Sequence, residues 1–200
     1  MNDNDYNILI VGVGGQGVLL ASEIISEVAM QAGLDVKKSE VHGMSQRGGV
    51  VSSHIKIGTK VYSPVIQHGK ADFLLSFEKA EGLRAIDWLH RDGIAVVSQT
   101  ALVPAIVTSS KQYTYPEDAI EQMQKKLNKV LSVPADKMAG ELGNPRLVNT
   151  ILLGVLSNYM PFTKDQWQEA LKARVKPRFV EINLKAFDRG RELSLSVAPA

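Results

Sequence analysis

With 200 residues, 44% of them hydrophobic, the chain is long enough for one well-packed domain and short for two. Its 23 basic and 21 acidic residues leave a net charge of +2 with no basic block, which excludes a nucleic-acid footprint. The absence of cysteine excludes a thiol nucleophile, a disulfide and a cysteine-ligated iron–sulfur cluster within this chain.

Ile8 to Val11 is an apolar strand that runs into Gly12-Val13-Gly14-Gly15-Gln16-Gly17-Val18. Val18, Ala21, Ser22, Ile25, Val28, Ala29 and Ala32 then recur at helical spacing, and Gly33 stands where a left-handed C-terminal cap belongs. Strand, turn and helix open a βαβ unit. Gly12, Gly14 and Gly17 fit G-x-G-x-x-G, in which glycine permits the tight turn, lets a ligand approach the backbone, and lets helix and strand pack closely. The free N–H groups at such a helix start favour a phosphate or carboxylate. Packing alone also demands glycine at a sharp strand-to-helix turn, so two readings of the motif stand.

A second strand is expected over 35–41, with Glu40 near the position where a dinucleotide fold binds ribose. The polar, glycine-rich run Val41-His42-Gly43-Met44-Ser45-Gln46-Arg47-Gly48-Gly49 follows as a shaped loop. Arg47 is either a cationic fork for a carboxylate or phosphate, or a surface arginine paired with a nearby acid. Ile55-Lys56-Ile57 and Val61-Tyr62 around Gly58-Thr59-Lys60 predict a small hairpin. The apolar runs 73–77 and 94–97, with a helical segment over 79–90 between them, predict a second crossover. The expected architecture is therefore α/β, a single Rossmann-like domain over residues 1–200 with a mostly parallel sheet. The Gly12–Gly17 turn, the loop 46–49 and the strand end 76–78 should share the edge formed by the strand C-termini.

The second half reads as helical. Pro116 suits the first turn of a helix whose inner stripe is Ile120, Met123 and Leu127. Asn144-Pro145 is an N-cap and first-turn pair for an apolar helix to about Met160, and Thr163-Lys164-Asp165-Gln166 fits a capping box. A last helix is expected from Phe179 to about Leu193, with residues 194–200 as a frayed tail. The most apolar run, Leu147 to Leu156, is broken by Asn149, Thr150 and Gly154 and falls short of the ~20 residues that span a membrane. With a polar start, Met1 to Asp5, the expected location is the cytoplasm.

His42, His54, His68 and His90 show no metal-ligand spacing, so no metal site is expected. His42 beside the glycine-rich loop is either a proton-transfer group or a structural hydrogen-bonding imidazole. Neither Ser45 nor Ser63 lies in a G-x-S-x-G elbow, and Val18-Leu19 follow Gly17 where a phosphate loop needs Lys and Ser or Thr.

Taken together, Gly12 to Val18, Glu40 to Gly49, Val61-Tyr62-Ser63-Pro64, Ala71-Asp72, Gly143-Asn144 and Asn149 resemble the gamma-type subunit of the 2-oxoacid:ferredoxin oxidoreductases. The run His42-Gly43-Met44-Ser45-Gln46-Arg47-Gly48-Gly49 is similar to the indolepyruvate branch of that family. The resemblance implies a chain without cofactors of its own that packs on a large alpha subunit carrying thiamine diphosphate and 4Fe-4S clusters. It further implies CoA as co-substrate, and ferredoxin as electron acceptor reached through the complex. Gly12, Gly14, Gly15, Gln16, Gly17, Met44, Gln46, Arg47 and Gly48 are then the candidate binding residues, and Arg47 and His42 the catalytic candidates. Two other classes compete: an independent NAD- or FAD-binding dehydrogenase using the same turn and Glu40, and a non-catalytic scaffold.

Overall fold

The computed structural model describes residues 5–42, 49–103 and 114–197. These form a six-stranded sheet with helices on both faces. The strands are β1 (Tyr6–Val13), β2 (Asp35–His42), β3 (Val50–Gly58), β4 (Ala71–Ser76), β5 (Leu89–Ser98) and β6 (Lys129–Val133), in the order β2-β3-β1-β4-β5-β6. The pairings β1/β4, β4/β5 and β5/β6 are parallel, and β3 runs antiparallel to both β1 and β2, so the sheet is mostly parallel, as expected. Helix α1 (Val18–Gln31) ends as its sequence predicts, with Gly33 at φ +80° and its N–H on the Met30 carbonyl.

β3 corrects the sequence reading twice. It lies between β1 and β2, so the first βαβ unit is split and its two parallel strands are not neighbours. It also pairs along its length with β1, from Tyr6↔Ile57 to Val13↔Val50, instead of folding onto Val61 and Tyr62. The alternation Val51, Ser53, Ile55, Ile57 buries one face of β3, and this long-range apolar match outweighs the local turn signal. Val61 leaves the sheet with its N–H on the Asp35 carboxylate, and Tyr62 is 84% exposed.

The segment 79–90 is a short helix α2 (Lys79–Arg84) and a 3₁₀ turn, and His90 already belongs to β5. Helix α3 (Ala119–Lys126) starts after Asp118, later than Pro116 suggests, with Met123 fully buried. Strand β6 and helix α4 (Ala135–Glu141) carry too little apolar pattern to be read from the sequence. Helix α5 (Val148–Ser157) follows a 3₁₀ turn in which the Asn144 side chain accepts from the Arg146 N–H. Helix α6 (Lys164–Arg174) has the predicted capping box at Thr163 and Gln166. Helix α7 (Val180–Val197) runs past Leu193, so residues 194–197 are helical, not a frayed tail; Ser194 is buried, with its hydroxyl on the Arg191 carbonyl.

The larger core lies between the sheet and helices α1, α5, α6 and α7, built on Ile8, Ile10, Ile24, Ile25, Leu152, Trp167 and Phe187. A smaller core under α2 and α3 uses Leu9, Val11, Leu74, Val97 and Met123. On that second face His54 is buried against Trp88, its Nδ1 accepting the Ile66 N–H at 3.3 Å. Burial, and then the nearby His68, hold the His54 imidazole below its usual value. A depressed histidine adds stability that is present above the unfolded pKa of about 6.5 and is lost as pH falls through the lower folded value. Urea midpoints taken from about pH 8 to about pH 5 should therefore fall with acidification, less steeply in His54→Gln; parallel slopes for the two proteins would remove His54 from that role.

Candidate functional site

The strand C-termini bring the glycine turn to the edge where an open α/β sheet binds its ligands. Gly15 and Gly17 adopt φ of +99° and +87°, and Gln16 folds its own turn. Its Oε1 accepts the Val13 N–H at 2.7 Å, and its Nε2 donates to the Phe77 carbonyl at 2.8 Å. The turn is therefore fastened from the end of β1 to the end of β4. A Cβ on Gly12 would stand 2.9 Å from Gln16 Oε1 and 3.1 Å from Phe77 Cβ, which explains the first glycine by packing.

The N–H of Gly14 donates to the Gly49 carbonyl at 2.9 Å, so that amide serves the fold. Gly17 caps α1 without any side-chain hydrogen bond, which leaves the first-turn N–H groups of α1 without a side-chain cap. Of the predicted set, Gly12, Gly14, Gly15, Gln16 and Gly17 meet here. Met44, Gln46, Arg47 and Gly48 lie outside the described residues, as does the side chain of His42. The flanks of that loop are nonetheless placed: His42 ends β2 opposite Val51, and Gly49 is bonded to the glycine turn. Both sit on the same sheet edge as 76–78.

Beside the turn is a cleft of about 410 Å³, walled by Gly15, Gly17, Leu20, Thr100, Arg146 and Asn149. The wall at Thr100 is fixed by a buried carboxylate. Glu78 accepts the Glu81 N–H at 2.8 Å, the Leu102 N–H at 3.3 Å and the Tyr115 hydroxyl. Burial first, and the Glu78 contact second, hold Tyr115 protonated well above the usual phenol range. Lys79 N–H meets the Thr100 carbonyl at 3.0 Å.

Across the cleft Asn149 is 4% exposed, its Oδ1 accepting the Thr150 N–H at 2.8 Å. Its Nδ2 has no acceptor among the described residues and lies 2.6 Å from where a Cβ on Gly17 would stand. Asn149 lines the cleft, so its amide is placed to donate to a ligand or water there. A second cavity of about 520 Å³ shares Leu20, Arg146 and Asn149 with the first and adds Arg174, Lys176 and Arg178. These cations, like Thr100, escaped the sequence reading, which placed Glu78 on the ligand-facing edge without a role; the Asn144-Pro145 start signal next to Arg146 was the one available pointer to the cations.

Glu40 does not complete a dinucleotide site. It lies on β2, with β3 between it and β1, so two strand spacings, about 10 Å, separate it from the turn's strand. Its carboxylate is taken by Ser22 Oγ at 3.2 Å and Lys38 Nζ at 3.1 Å. Among the described residues no His, Asp and Glu group could hold a metal ion, and no helix is long and apolar enough to cross a membrane.

Comparison with known proteins adds the lineage. The chain is 39% identical over 191 residues to the indolepyruvate oxidoreductase subunit IorB of Pyrococcus horikoshii, covering 93% of this chain and 94% of that one. It is 37% identical over 193 residues to the IorB of Thermococcus kodakarensis, with 93% and 94% covered. The gamma subunit of a keto/oxoacid ferredoxin oxidoreductase from Geobacter sulfurreducens has the same fold, with a TM-score of 0.71 at 24% identity over 96% of this chain and 99% of its own. A 2-oxoglutarate:ferredoxin oxidoreductase from Magnetococcus marinus, solved with 2-oxoglutarate, coenzyme A and succinyl-CoA bound, has a TM-score of 0.75 at 20% identity. That likeness covers 100% of this chain and 32% of the Magnetococcus chain. The family model for pyruvate ferredoxin/flavodoxin oxidoreductase matches residues 7–193, and the chain belongs to that family.

Proposed function

We propose that this chain, acting as a single domain over residues 1–200, is the small subunit of an indolepyruvate:ferredoxin oxidoreductase. The complex would oxidatively decarboxylate aryl 2-oxoacids to acyl-CoA and pass the electrons to ferredoxin. The 4Fe-4S clusters belong to a large alpha subunit, because they need thiolate ligands and this chain has no cysteine. Thiamine diphosphate is assigned to the same partner, and the complex to the cytoplasm.

The observation that carries this reading is the cleft at the sheet edge, on a chain 37–39% identical to the IorB subunits. The cleft fits CoA. The start of α1, which lacks a side-chain cap, and Asn149 Nδ2, which has no acceptor among the described residues, supply donors, and Arg146 supplies positive charge. Bound there, CoA supplies the thiol that accepts the acyl group. Gln16 holds the turn's shape, and Glu78 holds the opposite wall through Leu102, so the groove is preformed. From the loop between β2 and β3, Arg47 is proposed to bind the carboxylate of the 2-oxoacid or a phosphate of CoA, with Met44, Gln46 and Gly48 shaping the pocket and His42 next to it.

Co-purification of the tagged chain is expected to recover a large subunit with iron and thiamine, and Arg47→Ala in the reassembled complex should raise KM for 2-oxoacid or CoA. Recovery of the chain alone would overturn the reading. Unchanged KM for both substrates would remove Arg47. The dehydrogenase alternative is weakened by the position of Glu40, and a thermal shift with NAD or FAD but not CoA would restore it.

A further inference from the structure

On the face of the sheet opposite α1 the cover is incomplete. Helix α1 packs on β1, β2 and β3 from one side, while on the other side α2 packs on β1, β4 and β5, and α3 on β6. There β2 and β3 are left to the segment 59–70, which docks at His54 through the buried Ile66. An antiparallel pair can face water, but its outward residues are then polar. Along this face β2 carries Lys37, Ser39 and Val41 opposite Lys56, His54 and Ser52 of β3, so polarity gives way to valine at one end. Val41 is 57% exposed there, and Val50 is 39% exposed.

Beside these valines lies a cavity of about 160 Å³, with Leu9 and Val11 as its floor and Arg84 and Trp88 in its wall. Small-molecule sites begin at about 300 Å³, so this space suits a single side chain. Its polar lining is mainly donors. His54 is 8% exposed; its Nδ1 accepts the Ile66 N–H, so in the neutral ring Nε2 carries the proton, and Nε2 has no acceptor among the described residues. The Ser52 hydroxyl, which also lines the cavity, has no partner among the described residues. The Arg84 side chain is 68% exposed, and it holds Glu81, the one acid in the lining, at 3.0 Å. Donors and an exposed cation set in an apolar surface are complementary to an acidic side chain carried on an apolar segment.

We infer that this face docks the large partner subunit, through a segment whose apolar residues cover Val41 and Val50 and whose Asp or Glu side chain enters the cavity, accepting from His54 Nε2 and pairing with Arg84. This rests on the proposed place of the chain beside a large subunit. A pocket sized for one side chain, rimmed by apolar residues that exclude water, is the anatomy of an interface anchor. No residue lines both this cavity and the cleft at the glycine turn, so docking and substrate binding can be tested apart.

The test dilutes the purified complex and follows the assembled fraction by mass photometry at low and high salt. The wild-type complex is expected to loosen as salt rises. Val41→Asp should raise the Kd for assembly by at least about tenfold, because it sets a carboxylate against an acidic segment, and Val41→Lys should raise it less. Arg84→Gln should weaken assembly at low salt and flatten the salt dependence. Val41 is exposed, so its variants should keep a near-wild-type Tm. In the assembled complex, Val41→benzoylphenylalanine should cross-link to the large subunit on irradiation. Equal Kd values for wild type, Val41→Asp and Arg84→Gln, or a cross-link that joins two copies of this chain, would overturn the docking face and leave the subunit reading standing. A wild-type chain that assembles with no large subunit would overturn both.

Discussion

Gly154→Ala is expected to cost about 3 kcal/mol of stability and to lower Tm by about 10 °C, the upper part of the range for overpacking a core in a chain of this size. A Cβ at Gly154 would stand 2.1 Å from the carbonyl oxygen of Phe187, and one at Gly190 would stand 2.0 Å from the carbonyl oxygen of Ile151. Both obstacles are backbone, so no rotamer change relieves them. Helices α5 and α7 touch through their main chains at this point and would have to separate. Their other links depend on the same approach: Asn158 Nδ2 on the Arg191 carbonyl at 2.9 Å, and Arg191 Nη1 on the Ser157 hydroxyl at 2.8 Å. Gly140→Ala is the control, because a Cβ there meets nothing within 4 Å and helix propensity favours alanine by up to about 1 kcal/mol. Chemical unfolding of the three proteins decides the matter. A Gly154→Ala variant as stable as Gly140→Ala would show that the two helices can part freely.

What could be read along the chain was what local chemistry dictates. The strand running into glycines, Gly33 after α1, Asn144-Pro145, and Thr163 with Gln166 are signals confined to a few residues, and each marks the element boundary observed. The misread places are those where distant segments decide. Gly58-Thr59-Lys60 has hairpin chemistry, yet β3 finds its partners at Tyr6–Val13 and Asp35–His42. β6 has five residues, four of them half-buried, too few for an alternation to stand out. The site divides in the same way. Its glycine turn is visible, but the wall facing it comes from Asn149 and Arg146, about 130 residues further on, and no periodicity encodes that approach. Gln16 reads as a ligand-binding amide, whereas both of its polar ends are taken by backbone.

Gly17→Ala should therefore damage the site far more than Gly15→Ala, although both glycines have positive φ. At Gly15 a Cβ meets nothing within 4 Å, so the cost is the backbone strain of a left-handed alanine, about 1 kcal/mol. At Gly17 the same strain adds to a collision: the new Cβ would lie 2.6 Å from Asn149 Nδ2 and 3.3 Å from its Cγ. Asn149 cannot turn aside without loss, because its Oδ1 accepts the Thr150 N–H, and the neighbouring Thr150 hydroxyl donates to Asn183 Oδ1 at 2.6 Å. The shift passes along Asn183 to the wall at Phe179. A loss of about 3 kcal/mol is expected, together with a rise of at least about tenfold in KM for CoA, since the displaced amide lines the groove. Thermal unfolding and steady-state kinetics of the reassembled complex separate the two variants. Equal KM values for Gly15→Ala and Gly17→Ala would mean that the contact between the turn and Asn149 does not shape the groove, and that the third glycine of the motif is needed only for its backbone conformation.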